Sequence, residues 1–202
     1  MLAVLFALSL QFGDGSPAAP EPAPPACAHD REALLALDFK AFDQDLEGGW
    51  RPLGNSPACE AAGAELIAAY RQRNASRLTD EQTRGLKWHE AQLRAAQGEY
   101  ARAADLMTEA RADSPALDDR LYAVATIAYL RRDRPALLDA RAKLAALAKP
   151  DWFDEAVARH KAQYGDDIAW PPNLDVVDGL VACFDKPYRD AYSFACRPGA
   201  TN

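Results

Sequence analysis

Two short stretches of this chain hold the residue types that could do chemistry. Asp43, Gln44, Asp45 and Glu47 sit close together and are followed by Trp50 and Arg51. A pair of carboxylates, one acid and one base, is the minimum apparatus of a hydrolase. A polar loop of this length could equally contact a ligand. A third arrangement has Arg51 pairing locally with Asp43 or Asp45 while Trp50 plugs the core. The second stretch, Trp88-His89-Glu90-Ala91-Gln92, begins as a His-Glu-x-x-His zinc motif does. The position that needs the second imidazole is Leu93, so no metal is expected there. His29 and His160 have no acid or cysteine at ligand spacing. No Gly-x-Ser-x-Gly nucleophile turn, glycine-rich phosphate loop or dinucleotide fingerprint occurs, and neither a catalytic residue nor a cofactor is predicted.

The cysteines are Cys27, Cys59, Cys183 and Cys196. Their spacing contains no Cys-x-x-Cys pair and matches no zinc pattern. An even number favours disulfides, for which three pairings exist. The short separation favours Cys183–Cys196, across a helix–turn–helix. Cys27–Cys59 then ties the first helix to the second, each bond contributing about 2–4 kcal/mol. Buried free thiols are the alternative.

Residues of these types need a frame, and the composition points to helices. The chain has 202 residues, 49% of them hydrophobic and 26% charged, with a net charge of -7 and a pI near 5.0. That length fits a single domain. The acidic balance argues against nucleic acid and anionic lipid as partners, because both require a basic footprint. Alanine is abundant and Arg outnumbers Lys, which favours helix and suits a bacterial source of high GC content. Residues 1–15 open with the apolar run MLAVLFALSLQF. It is shorter than the roughly 20 residues of a membrane span but has the length of a signal-peptide core, although no Lys or Arg precedes it. Residues 16–26 contain five prolines and are read as an extended linker. A single domain over residues 27–202 is therefore expected, in a periplasmic or secreted protein without an integral membrane span.

Apolar periodicity predicts helices over 30–42, 58–73, 79–97, 100–112, 116–131, 135–148 and 152–164, then shorter ones after Asn173 and Pro187. Between the first two, Gly48, Gly49, Pro52, Gly54 and Pro57 predict a long loop. Arg131-Arg132-Asp133-Arg134 reads as a solvated helix end. Sustained apolar/polar alternation is lacking, so the fold class is all-α. Short turns between the helices make consecutive ones antiparallel neighbours.

The pattern Gly98-x-Tyr100-x-x-Ala103-x-x-x-Met107-x-x-Ala110-x-x-x-x-Pro115 resembles the second helix of a tetratricopeptide repeat. Gly98 permits the turn, Tyr100 wedges between pairs, Ala103 and Ala110 let helices approach, Met107 fills the seam and Pro115 stops the helix. The preceding helix fits less well, because Glu90 stands where Leu is usual. Asp133, Pro135, Leu138, Ala142 and Ala145 approximate the pattern about 35 residues later. Cys59, Ala62, Leu66, Ala69 and Asn74 echo it about 41 residues earlier. The segments 42–51 and 173–192 also look like stretches of uncharacterised exported bacterial proteins of similar size, a likeness that implies no activity.

The resemblance implies a short right-handed superhelix of helix pairs over 30–148, closed by a C-terminal cap over 151–202 in which the helix at 152–164 ends the stack. It also implies a concave groove lined by the first helix of each pair. Trp88 and Gln92 would line it from one helix, and Asp119, Tyr122, Thr126 and Tyr129 from another. Such a face suits an extended peptide or a protein element, unless Trp88, Tyr122 and Tyr129 are ordinary core aromatics. The expected function is that of an exported scaffold or adaptor that binds a protein or peptide and has no chemistry of its own. A periplasmic inhibitor or immunity-type protein and a carboxylate-dependent hydrolase at Asp43 and Asp45 are the alternatives.

Overall fold

The computed structural model describes residues 27–111, 114–165 and 167–199. The expected signal segment and proline-rich linker lie outside the described residues. The protein is all-α, and consecutive helices pack against one another in pairs.

The first predicted helix is broken in two. Helix α1 covers Arg31–Ala36, capped by the Asp30 side chain, which accepts a hydrogen bond from Ala33 N. It ends because Leu37 turns to an extended conformation (ψ 152°). Asp38 then starts a new turn by accepting from Ala41 N at 2.8 Å, and Lys40–Gln44 form a π-helical turn. Periodicity cannot register this break, because the apolar residues stay in phase across it.

The expected long loop contains a further short helix, α2, Arg51–Gly54. Pro52 is tolerated within its first turn, where no amide partner is needed. Gly49 precedes it at φ +55°, and a Cβ there would lie 1.9 Å from Phe42 O. Only glycine allows the loop to close so tightly on the π turn.

Five longer helices follow: α3 Glu60–Arg73, α4 Asp80–Ala96, α5 Tyr100–Arg111, α6 Leu117–Leu130 and α7 Arg134–Ala145. Thr79 and Gln82 make a complete capping box for α4, and Asp133 caps α7 through Ala136 N. Each helix packs on the next from α3 to α7. Between α4 and α5, Gly98 adopts φ +83°, and Ala103, Met107 and Ala110 are all buried, as their small or seam-filling roles require. The later copy of the pattern is out of register. Leu138, Ala142 and Ala145 are exposed, while Leu137, Ala140 and Leu144 form the buried stripe of α7. The sequence echo at 133–145 therefore does not mark equivalent packing positions.

The end of the stack also differs from expectation. Helix α8, Phe153–Tyr164, buries only Phe153 among its described side chains, against Trp170. Helix α9, Leu174–Ala182, instead packs on α6 and α7 through Val176, Val177 and Leu180. The reason is apolarity: α9 reads LDVVDGLVA, whereas α8 carries Asp154, Glu155, Arg159 and Lys161. Helix α10, Tyr188–Tyr192, returns over α9 and contacts α4. Gly179 allows this approach, since a Cβ there would stand 3.1 Å from Ala191 O.

Cys27 is bonded to Cys59 and Cys183 to Cys196. The first bond anchors the segment before α1 to the start of α3, and the second closes the α9–α10 hairpin. The apolar interior falls into two clusters. One surrounds Phe42, Trp50, Ile67 and Tyr70, and the other runs from Trp88 through Met107 and Tyr129 to Leu180 and Tyr188.

Candidate functional site

The face expected to be an open groove is covered by the chain's own C-terminal segment. Trp88 and Tyr122 are 5% exposed, and Thr126 and Tyr129 are fully buried. Trp88 packs on Tyr122, ring centroids 5.4 Å apart, and under the Arg111 guanidinium. Asp119 pairs with Arg111 at 3.2 Å. Thr126 donates to Tyr122 O within α6. Tyr129 lies against the rings of Phe184 and Tyr188, and its hydroxyl donates to Lys186 O. Burial pushes the Tyr122 hydroxyl well above its usual pKa, with Tyr192 and Tyr188 adding to the shift. All of these except the half-buried Asp119 are thus core in this structure. Gln92 is likewise half-buried, donating to the Tyr192 hydroxyl at 3.0 Å.

Polar contacts hold the covering segment down. Arg189 grips the Glu60 carboxylate with both terminal nitrogens and donates to Ala96 O at 3.2 Å. Arg132 donates to Phe184 O and Lys186 O from the turn between α6 and α7. Tyr188 N donates to the Tyr100 hydroxyl. Periodicity could not reveal this arrangement, because an aromatic face reads the same whether a partner or the chain's own end covers it.

The loop candidates Asp43, Gln44, Trp50 and Arg51 do converge. Asp43 is 1% exposed and accepts hydrogen bonds from Trp50 Nε1 at 3.0 Å and from Gln44 Nε2. Arg51 donates to Asp43 O at 3.1 Å and lies over the Trp50 ring at 4.3 Å. Asp45 is exposed and caps its own turn through Glu47 N. The two carboxylates therefore serve different local purposes, and Trp50 plugs the core, as in the third of the alternatives drawn from the sequence.

His89 joins this cluster from α4, a partnership the sequence did not suggest. Its Nε2 stands 3.7 Å from Asp43 Oδ1, its Nδ1 3.4 Å from Gln92 Oε1, and its ring 5.2 Å from Trp50. The one available signal was the His89-Glu90 pair, which failed as a zinc motif because Leu93 stands where the second histidine is needed. Among the described residues, no group of three His, Cys, Asp or Glu side chains could hold a metal ion.

His89, Trp50 and Gln92 form one wall of a cleft of about 290 Å³. Tyr188, Arg189 and Tyr192 of α10 form another, with Asn55 and Glu60 at its margin. His89 also reaches a second hollow of about 550 Å³, bounded by the π turn and the start of α4. No protein-family model, curated protein or solved structure matches this chain. The site must therefore be read from its own geometry.

Burial lowers the His89 pKa, and the positive charges of Arg51 and Arg111 add to that effect. Asp43 and the Gln92 hydrogen bond act in the opposite direction. A depressed folded pKa means that the unfolded chain takes up a proton first as the pH falls. The stability this histidine contributes is thus complete above about pH 6.5 and declines between there and the lower folded pKa. Denaturant unfolding at a series of pH values should show that decline, and His89→Gln should flatten it. An unchanged slope in the variant would assign the pH dependence to other groups.

Proposed function

We propose that this protein is an exported helical-repeat scaffold or adaptor that binds a protein or peptide element and performs no chemistry of its own. The cleft between α4 and α10 carries this reading. It joins aromatic surface to a few fixed polar groups in one concavity, the usual make-up of a recognition site. The contact surface is accordingly moved from the α4–α6 face, which α9 and α10 occupy, to the edge where Gln92 and Tyr192 remain accessible. Sequential packing from α3 to α7, with Ala103, Met107 and Ala110 buried, supports a tetratricopeptide-like frame. The two disulfides support a periplasmic or secreted location, since such bonds persist in oxidising compartments. No helix among the described residues is long and apolar enough to cross a membrane.

A hydrolase centred on Asp43 gains less from the geometry. Its carboxylate is buried and already engaged by Trp50 and Gln44. An inhibitor or immunity-type role would use the same cleft and differ only in its partner.

Selection of a displayed random-peptide library on the purified protein tests the reading. Enriched peptides should lose about tenfold or more in affinity for Tyr192→Ala, a loss typical of a central aromatic contact. They should bind Lys143→Ala, on the far exposed part of α7, as they bind the parent. Failure to enrich any sequence, or equal affinity for both variants, would remove the basis for the proposal.

A further inference from the structure

We infer that the hollow beside the start of α9 is a binding site for a neutral saccharide built of pyranose rings. It measures about 660 Å³ and lies between the loop at 167–171, the first turns of α9 and Arg197. It shares no residue with the α4–α10 cleft, so it stands apart from the binding role proposed above. Three carboxylates line it, and each holds one cation through one oxygen. Asp167 Oδ2 accepts from Lys161 at 2.6 Å, Asp175 Oδ2 from Arg197 at 3.1 Å and Asp178 Oδ1 from Arg141 at 2.6 Å. The second oxygen of each accepts no hydrogen bond from another described side chain. Asn173 is exposed at the N-terminus of α9, and its side chain makes no capping bond.

The hollow therefore offers acceptors whose charge is already balanced. An anion would face three carboxylates, and a polyamine would have to displace Lys161, Arg141 and Arg197. The complementary ligand is uncharged and carries several donors. Hydroxyl groups meet that requirement, since each donates one hydrogen bond and accepts others, and the Asn173 amide can take either role. Trp170 adds a second requirement, an apolar face. Its indole is half-buried at the wall of the hollow, with its N–H donating to Leu147 O at 2.8 Å and the Phe153 ring meeting it at 69°. These contacts fix the ring in place. The face of an aromatic ring is electron-rich and attracts the weakly positive C–H bonds of a sugar. A gluco-configured pyranose joins both features, because its hydroxyls project around the rim and its axial C–H bonds form the faces. Aromatic surface with a few placed polar groups is the general make-up of small-ligand sites.

Titration of the isotope-labelled full chain with cellotriose, sorbitol and spermine, each separately, tests this by NMR. Cellotriose should shift the Trp170 indole N–H and the Asn173 side-chain amide saturably. Sorbitol, which has the hydroxyls but no ring face, and spermine, which has only charge, should not. The dissociation constant for cellotriose should rise about tenfold in Asp175→Ala, the loss typical of a hydrogen bond to a charged group, and further in Trp170→Ala. It should stay at the parent value in Asp139→Ala, which removes an exposed carboxylate of α7 outside the hollow. Asp175 is exposed, so that variant keeps the test decisive if Trp170→Ala unfolds. Absence of saturable shifts with cellotriose would overturn the inference. Equal shifts with sorbitol, or saturable shifts with spermine, would overturn the ligand class. Cellotriose binding that ignored both Asp175→Ala and Trp170→Ala would overturn the hollow as its site.

Discussion

Arg94→Met should destabilise the protein by about 3–5 kcal/mol, the usual consequence of stripping one partner from a buried ion pair. Arg94 is 2% exposed and Glu90 1%, and they face each other at 2.8 Å one turn apart on α4. Arg94 also reaches Glu65 and Glu99, and Arg71 of α3 approaches Glu90 from the other side. Burial alone would depress the Arg94 pKa, but its hydrogen bonds to Glu65 and Glu90 raise it above the ordinary value. Glu65 and Glu99 are exposed enough to be hydrated once Arg94 is gone, whereas Glu90 is not. The damage should therefore come from the buried Glu90 charge, which loses its most buried partner and keeps only the more exposed Arg71 and Arg102. Glu90→Leu combined with Arg94→Met should recover most of the loss, since an apolar pair of similar volume is often neutral or better. Urea unfolding of the single and double variants measures both effects. A double variant as unstable as Arg94→Met would show that the cost lies in packing rather than in charge.

The second large effect is expected at Tyr129→Ala, with a loss of about 3–5 kcal/mol, the range for deleting a large aromatic side chain from a packed core. Tyr129 is wholly buried between Phe184 and Tyr188, and its hydroxyl holds Lys186 O. Removing it opens a cavity beneath the C-terminal segment and takes one of two donors from the Lys186 carbonyl, leaving Arg132 as the other. For a chain of this size the melting temperature should fall by roughly 6–20 °C. Tyr122→Ala should behave similarly. Calorimetry on both variants separates core from groove: an unchanged melting temperature would mean that α9 and α10 do not cover this face in solution.

The two substitutions bear on the same question, how the stack conceals surfaces that its repeat pattern suggests should be open. In the sequence, Glu90 stood out as part of an incomplete zinc motif and as a departure from the leucine usual at that position. In the fold it is the partner that allows two arginines to be placed between α3 and α4. Asp43 and His89 illustrate the converse. Each was conspicuous by residue type, but no local spacing connects a loop at 43 with a helix at 89, and only the packing of the π turn against α4 brings them within 3.7 Å.

What the sequence determined unaided was local. Alanine-rich periodicity and the breaks at Gly98 and Pro115 specify helices and their ends, because each acts within a turn or two of chain. The favoured cysteine pairs were also legible, since short separations limit the alternatives. The tertiary structure decided which apolar faces meet. It placed α9 rather than α8 against α6 and α7, rotated the buried stripe of α7 by one residue, and filled the expected groove with α10. The physical reason is that hydrophobic burial is non-directional. A face carrying Trp88, Tyr122 and Tyr129 needs covering, and its composition does not say whether another molecule or the end of the same chain will cover it.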